Sequence, residues 1–404
     1  MNRFAWALLA GIAFAPTAFA QLEGGAAAVV VGNNRFAWDL YGRLAAKPGN
    51  LFLSPYSIST ALAMTSAGAA GETRQQMDTT LHFGLSEDKL HPAFRNLIDA
   101  TSGPTRKRAY KLSVANSLWG QKGFEFQPDF LNVTRANYGA GLQEVDFVKA
   151  TEAARQRINA WVEKETAGKI TDLIPAGVLD EEARLVLTNA IYFKASWMGA
   201  FEKGNTQPAD FTLSGGSKVR VPLMHRNDGM AYFEEGGLQA VEIPYEHRDL
   251  SMIVILPKSA DGLRQIENTL KPEELDRITK GMKQHQVDLK LPKFKVTAQF
   301  KLKEVLSAMG MPLAFSDRAD FSKMVVRSTD ALKIGEVIHK AFIDVDEKGT
   351  EAAAATAVIM VRVTSALPQQ LPRATFHADR PFAFVLKDNR TGSILFMGRL
   401  ADPR

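Results

Sequence analysis

The chain has 404 residues, of which 46% are hydrophobic and 23% are charged, a composition typical of a globular protein with a large core. It contains no cysteine, which excludes a disulfide framework, a lipid-modified amino-terminal cysteine and a thiol nucleophile. The formal net charge of +5 is too small and too dispersed to indicate nucleic-acid binding by itself.

The first twenty residues have the pattern of a secretory signal peptide. Arg3 supplies a positive start, residues 4–15 are apolar, and Ala18, Phe19 and Ala20 form a small-x-small cleavage site. The apolar run is too short to span a membrane, which needs about 20 residues. We therefore predict a signal peptide over residues 1–20, no membrane-spanning segment, and a mature protein that is exported to a periplasm or secreted.

The first half of the mature chain is rich in predicted helices, with strands between them. Helices are expected over 33–44, from Pro55 to a closing Gly71, over 127–138, and over 158–174 with an end at Gly168; strands are expected over 51–53, 112–119 and 185–197. The last of these strands has a continuous apolar pattern, which is typical of a strand buried on both faces. Asn189 lies inside it and needs a hydrogen-bond partner there, because an unpaired buried amide costs about 1–3 kcal/mol.

Short strands dominate from residue 221 to the carboxyl terminus, with one helical interruption over 300–309. Helices that precede strands in this way indicate an α+β fold built on large sheets. No internal repeat and no dividing linker occurs, so residues 21–404 are predicted to form a single domain.

One segment, residues 347–373, does not fit either pattern. It reads EKGTEAAAATAVIMVRVTSALPQQLPR, with small residues, then β-branched residues, and no charge between Glu351 and Arg362. A loop this long is usually functional or disordered. Alanine favours a helix, whereas the small side chains that recur at every second position fit a strand that enters between two others. The pattern alone leaves both structures open.

A short basic cluster follows Gly103 and Pro104. It consists of Arg106, Lys107, Arg108 and Lys111. Such a run is more often a solvated turn than a binding site, and the Gly-Pro pair beside it favours a turn. A weak polyanion contact at this cluster is the alternative.

Many ordered blocks resemble the serpins, and the resemblance extends from about Asn33 to Pro403. They include NLFLSPYSISTALAM, GKITDLI, LTNAIYFKASW, VEIPYEHRDLSMIVILP, LPKFKV, MGMPLAFSDRADFS, VIHKAFIDVDEKGTEAAAAT, FHADRPFAFVLKD and ILFMGRL. The resemblance implies an α+β serpin fold of three β-sheets and about nine helices, with an exposed reactive-centre loop at about 347–373. It also favours the strand over the helix for that segment, because serpin loops insert into a sheet.

The resemblance assigns roles to particular residues of the segment. The hinge that enters the sheet consists of Glu347, Gly349, Thr350, Ala352, Ala354 and Thr356. Its small side chains resemble those of inhibitory serpins. The usual spacing from Gly349 places the reactive bond at Val363–Thr364, which suits an elastase-like protease. Arg362, one residue away, is the alternative for a trypsin-like protease, and a count backwards from Pro381 gives a bond between about 367 and 370.

Two further groups match serpin regions that control insertion. Ser54, Ser57, Asn189 and His339 match the shutter, a polar cluster beneath the point where the central strands part. Trp197 matches the breach, where insertion begins; otherwise it is a large core aromatic.

The function implied by the resemblance is suicide-substrate inhibition of a serine protease, in which the cut loop inserts and the acyl-enzyme is trapped. A non-inhibitory serpin that acts as a binding protein is the alternative. An enzyme is not expected, because no HExxH or GxSxG motif occurs. We expect a monomer that uses no cofactor or metal, has no catalytic residue, and binds neither nucleic acid nor membrane.

Overall fold

The computed structural model describes residues 22–102, 108–139, 141–327, 332–350 and 371–404. Within these residues the helices are α1 (Ala26–Leu44), α2 (Pro55–Ser66), α3 (Gly71–Thr80), α4 (Glu87–Thr101), α5 (Pro128–Tyr138), α6 (Phe147–Glu165), α7 (Leu263–Thr269), α8 (Pro272–Gly281) and α9 (Lys303–Met309). The strands are β1 (Leu51–Leu53), β2 (Tyr110–Gln121), β3 (Leu142–Val145), β4 (Leu185–Ser196), β5 (Gln207–Thr212), β6 (Lys218–Glu235), β7 (Leu238–Pro244), β8 (Leu250–Pro257), β9 (Lys283–Pro292), β10 (Phe294–Lys301), β11 (Glu336–Asp346), β12 (Gly349–Thr350), β13 (Arg373–His377), β14 (Phe382–Asp388) and β15 (Ile394–Leu400).

A six-stranded sheet contains Asn189, His339 and the start of the segment 347–373. Its order is β10-β11-β12-β4-β2-β3. β4 and β11 run parallel and pair directly from Glu336 opposite Val186 to Phe342 opposite Tyr192. Beyond that point the two strands separate, and the short β12 pairs with both of them. The sheet is therefore continuous at one end and opened by a wedge at the other.

The second sheet has nine strands, and the long strand β6 connects its two parts. The order is β1-β15-β14-β8-β7-β6-β9-β13, with β5 paired to β6. β6 pairs with β5 along its first part, with β9 along its middle and with β7 along its last part. In the described residues it thereby joins the second and third of the predicted sheets into one surface. The expected α+β architecture with about nine helices is confirmed.

The helix α2 packs against β15, β4 and β2, and all of its residues are buried. It is built almost entirely of small and apolar side chains, which allow a helix to approach other elements closely. The prediction that Gly71 closes this helix was wrong. α2 ends at Ser66, and Gly71 starts α3 with a φ of +51°, a left-handed conformation that glycine adopts at no steric cost.

The helix predicted over 158–174 also has different bounds, because α6 begins earlier and ends at Glu165. Gly168, with a φ of +74°, lies in the turn that follows. In the described part of the chain, no helix combines the length and apolar character needed to cross a membrane. The predicted signal peptide lies outside the described residues.

Candidate functional site: a buried polar cluster and a strand in the sheet wedge

Three adjacent strands of the six-stranded sheet bring polar side chains into one row. Asn189 in the middle of β4 pairs with His339 of β11 on one side and with Asn116 of β2 on the other. The amino-terminal turn of α2 covers this row with Ser54 and Ser57. All four predicted shutter residues therefore meet, and we name them, together with Asn116, the buried polar cluster.

The cluster is linked by hydrogen bonds that define the state of the histidine. The backbone N–H of Ser54 donates to Nε2 of His339 over 3.1 Å, so this nitrogen carries no proton. His339 Nδ1 then carries the proton and donates to Oδ1 of Asn189. The side chain of Asn189 donates in turn to Oγ of Ser57 over 2.6 Å and to Oδ1 of Asn116. The histidine is thus a neutral bridge between the start of α2 and the centre of β4.

Burial determines the charge of His339. The side chain is 0% exposed, and burial lowers its pKa to about 3, with the hydrogen bond to Asn189 opposing that shift in part. Protonation at Nε2 would place an N–H against the N–H of Ser54, which removes a hydrogen bond and adds an unpaired buried charge. The cluster therefore stays intact at neutral pH and loses stability in acid.

Ser54 also anchors α2 at its first turn. Its Oγ accepts from the backbone N–H of Ser57 over 3.2 Å, which is the usual role of a helix-capping serine, and donates to the carbonyl of Leu395 over 2.7 Å. Pro55 occupies the first helical position, where its missing N–H costs nothing. The same two serines thus position the helix and join it to the sheet strands.

The second part of the site is the wedge between β11 and β4. Thr350 lies opposite Val345 of β11 and Ala195 of β4, and its side chain is 0% exposed. The first two small residues of the predicted hinge are therefore already paired in the uncleaved chain. The sequence led us to expect this pairing only after cleavage.

Gly349 is required where β12 approaches β4. A Cβ at this position would meet the carbonyl oxygen of Ala195 and would lie 2.8 Å from Cα of Ser196. Backbone atoms cannot move aside as a flexible side chain can, so any larger residue would push β12 out of the wedge. The close approach, together with conformational freedom, explains the glycine.

Two stacked aromatic side chains hold the entry to the wedge. The rings of Trp197 and Tyr245 are 4.4 Å apart and 16° from parallel. Nε1 of Trp197 donates to the carbonyl of Asp346 over 3.0 Å, and its backbone N–H donates to the carbonyl of Lys348 over 2.9 Å. The hydroxyl of Tyr245 is 2.7 Å from Oγ1 of Thr350. Trp197, the predicted breach residue, therefore contacts the turn that leads into β12, whereas Tyr245 contacts β12 itself.

Glu347 fixes the same turn by charge. Its carboxylate accepts from Nζ of Lys293 over 2.8 Å and from Oγ1 of Thr206 over 2.9 Å. Burial raises the pKa of this carboxyl, but the Lys293 and Thr206 bonds outweigh burial and hold it below the ordinary value. The carboxylate is charged at neutral pH and joins the turn to two neighbouring segments.

Several predicted site residues lie outside the described residues. They are Ala352, Ala354 and Thr356 of the hinge, Val363 and Thr364 of the reactive bond, the alternative Arg362, and Arg106 and Lys107 of the basic cluster. The guanidinium of Arg108 donates to the carbonyls of Asp99 and Ala100 at the end of α4. Among the described residues, no three histidine or acidic side chains are grouped so that they could hold a metal ion.

Sequence reasoning missed three residues of the site. Asn116 lies in the strand predicted over 112–119, and its signal was an amide within an otherwise strand-like pattern. Tyr245 and Lys293 lie within motifs quoted above, VEIPYEHRD and LPKFKV, but nothing in their local pattern shows that they contact residues about a hundred and about fifty positions further along.

Comparison with known proteins identifies the family. The profile of the family described as Serpin (serine protease inhibitor) matches residues 31–403. The leukocyte elastase inhibitor of Sus scrofa is 40% identical over 92% of this chain and 98% of its own length. An uncharacterized serpin-like protein of Thermococcus kodakarensis is 40% identical over 95% of this chain and 87% of its own.

A solved structure shows the same fold. The Arabidopsis serpin AtSerpin1, in its native stressed conformation, superposes with a TM-score of 0.83 at 32% identity, covering 94% of this chain and 98% of that one. The profile match and the two relatives cover nearly the whole chain, and the structural match covers the same extent with the same architecture. The chain therefore belongs to the serpin family of protease inhibitors and has the serpin fold.

Proposed function

We propose that this serpin inhibits serine proteases as a suicide substrate and that an elastase-like enzyme is its preferred target. The observation that carries the proposal is the position of β12, which is paired with both β11 and β4. A sheet that already holds the first two hinge residues between these strands can receive the following residues by continued pairing. The new backbone hydrogen bonds and the burial of apolar side chains would drive the insertion.

The register of β12 predicts where the inserted residues would lie. Thr350 pairs with Ala195 and Val345, and each step along β12 moves one residue back along both neighbours. Thr356 would then come between Asn189 and His339, which now bond to each other. Insertion must therefore separate the buried polar cluster. In an inserted strand Ala352, Ala354 and Thr356 would share the inward face of Thr350, which would explain why small side chains are needed.

The covalent step follows ordinary serine-protease chemistry. The protease serine attacks the carbonyl of Val363, the bond to Thr364 breaks, and the new amino group of Thr364 leaves with the proton from the serine hydroxyl. The protease is then held as an ester on Val363. Water can hydrolyse this ester, so the yield of trapped complex depends on whether insertion is faster than hydrolysis.

The choice of target rests on the loop sequence and on one relative. Val363 is small and β-branched, and it suits a narrow protease pocket that rejects arginine. The relative from Sus scrofa is named as an inhibitor of leukocyte elastase. We also propose that the protein acts outside the cytoplasm, since residues 1–20 have the pattern of a signal peptide.

A complex assay tests the proposal. Purified mature protein is mixed with pancreatic elastase, neutrophil elastase or trypsin, and an SDS-resistant species of the summed mass is sought by electrophoresis. We expect complexes with the elastases and a released fragment that starts at Thr364. A fragment starting at Val363 would identify Arg362 as the reactive residue.

Arg362→Ala is the matched variant, and it should abolish complexes with trypsin but not those with the elastases. Failure of all three enzymes to form a complex, with no cleavage in the loop, would contradict the proposal and favour a binding protein.

A further inference from the structure

The hydroxyl groups of Tyr245 and Thr350 form an isolated pair at the wedge. They are 2.7 Å apart, and the two residues are 1% and 0% exposed. Within the described residues, neither hydroxyl forms a hydrogen bond with another side chain. Each hydroxyl therefore depends on the other, because a buried hydroxyl without a partner costs free energy.

Tyr245 is itself held firmly. Its ring stacks on Trp197 and packs edge-on against Phe193 of β4, with ring centroids 5.3 Å apart. Its backbone N–H donates to the carbonyl of Leu250 over 3.0 Å, and its neighbour Pro244 accepts from the N–H of Met198 over the same distance. The phenol is thus a fixed point on the nine-stranded sheet that reaches across to the wedge of the six-stranded sheet.

β12 is held by backbone pairing with β11 and β4, and its side chains add little to that pairing. It is only two residues long, and one of them is glycine, which has no side chain. Thr350 is the one side chain of β12 that reaches another sheet. The hydrogen bond between Tyr245 and Thr350 is therefore the side-chain contribution that adds to backbone pairing in keeping β12 between β11 and β4.

We propose that Tyr245 is a positioning residue for insertion, which holds Thr350 in the wedge before any protease cuts the loop. Insertion then starts from residue 351 with the register already set and with the first two positions between β11 and β4 already occupied. The proposal rests on the proposed inhibitory function for its effect on complex yield. Its structural part, a β12 that is retained by Tyr245, does not depend on inhibition.

The first test measures β12 directly in the uncleaved full-length mature protein. Hydrogen–deuterium exchange of the peptide that contains residues 347–350 is compared between wild type and Tyr245→Phe. We expect about fivefold faster exchange in the variant, the factor that corresponds to ~1 kcal/mol for one hydrogen bond. Equal exchange in the two proteins would overturn the proposal.

The matched control is a second buried Tyr–Thr pair in the same protein. Tyr56 and Thr101 have hydroxyl groups 2.7 Å apart, and their hydrogen bond does not involve β12. Tyr56→Phe should lower the melting temperature as Tyr245→Phe does, but it should leave exchange of residues 347–350 unchanged. Faster exchange in both variants would show a merely structural effect and would contradict the positioning role.

A double-mutant cycle identifies the partner. Thr350→Val keeps the shape of threonine and removes its hydroxyl. If the two hydroxyls act through each other, Tyr245→Phe combined with Thr350→Val should exchange no faster than either single variant. Additive effects of the two substitutions would refute the link.

The last measurement connects β12 to inhibition. For Tyr245→Phe we expect the number of inhibitor molecules consumed per trapped elastase to rise, by up to about fivefold, with an unchanged rate of loop cleavage. If the number of inhibitor molecules consumed per trapped elastase did not change, the proposed effect of Tyr245 on insertion would be overturned. If wild type traps no protease at all, the proposed function fails, and the exchange experiments still decide the role of Tyr245.

Discussion

Acid should destabilise this serpin through His339, and the size of the effect can be worked out. Burial lowers the pKa of His339 to about 3, whereas histidine in an unfolded chain has a pKa of about 6.5. Below pH 6.5 the unfolded chain binds a proton here and the folded chain does not, so the free energy of unfolding falls as pH falls, until about pH 3. Each pH unit below 6.5 lowers the free energy of unfolding by about 1.36 kcal/mol at this site. Between pH 7.5 and pH 5.0, His339 alone should therefore lower the free energy of unfolding by about 2 kcal/mol.

The variant His339→Gln isolates this contribution. Glutamine has an acceptor for the N–H of Ser54 and a donor for Asn189, but it does not titrate. Urea unfolding is followed by tryptophan fluorescence at pH 7.5 and at pH 5.0. Between these pH values, the free energy of unfolding of wild type should fall by about 2 kcal/mol more than that of the variant. The comparison is needed because burial also lowers the pKa of His91, to about 4, and both proteins share that residue.

The control is Ser57→Ala, which removes a hydrogen bond from the same cluster and no titratable group. It should cost about 1–3 kcal/mol at both pH values and keep the pH dependence of wild type. If His339→Gln lost as much stability as wild type between pH 7.5 and pH 5.0, the neutral buried histidine would be ruled out.

Three further predictions concern the wedge and the cluster. Thr350→Arg would bury a cation without a partner, at a cost of several kcal/mol. The loop of this variant should be cut at a rate similar to wild type but should yield little covalent complex on SDS gels. A wild-type yield of complex would contradict the proposal that the loop inserts beside Thr350. Lys293→Ala should cost about 1–3 kcal/mol of unfolding free energy in thermal unfolding because Glu347 loses its cation. Lys295→Ala, which breaks a more exposed ion pair with Asp344, should cost under about 1 kcal/mol; equal losses would refute the role of the Lys293–Glu347 pair. Asn116→Ala should cost about 1–3 kcal/mol, since it removes an acceptor shared by two buried donors, and a neutral result in the same assay would contradict that.

The sequence predicted most of the elements because their signals are local. The strand over 185–197 was placed within a residue of β4, since a continuous apolar run of that length has few other structures available. Gly71 was misplaced because a glycine after a helix is usually its end, whereas here the chain turns and starts the next helix at once. Local pattern does not record where the following element lies.

The candidate site was predictable where a residue type was unusual for its position. Asn189 and His339 are polar residues in buried strands, and such residues require partners. Tyr245 and Lys293 are ordinary for a strand end and a turn, and their importance comes from contacts with the hinge that only the assembled sheets create. The pairing of β12 in the uncleaved chain is of the same kind, because it depends on how far β11 and β4 separate.

The central claim is that the cut loop becomes a strand between β11 and β4, and a crystal structure of the elastase-cleaved protein tests it most directly. We expect that residues from 351 onward continue β12, that Thr356 lies between Asn189 and His339, and that the direct pairing of β11 with β4 is lost. A cleaved structure in which His339 still bonds to Asn189, with the cut segment outside the sheet, would contradict it.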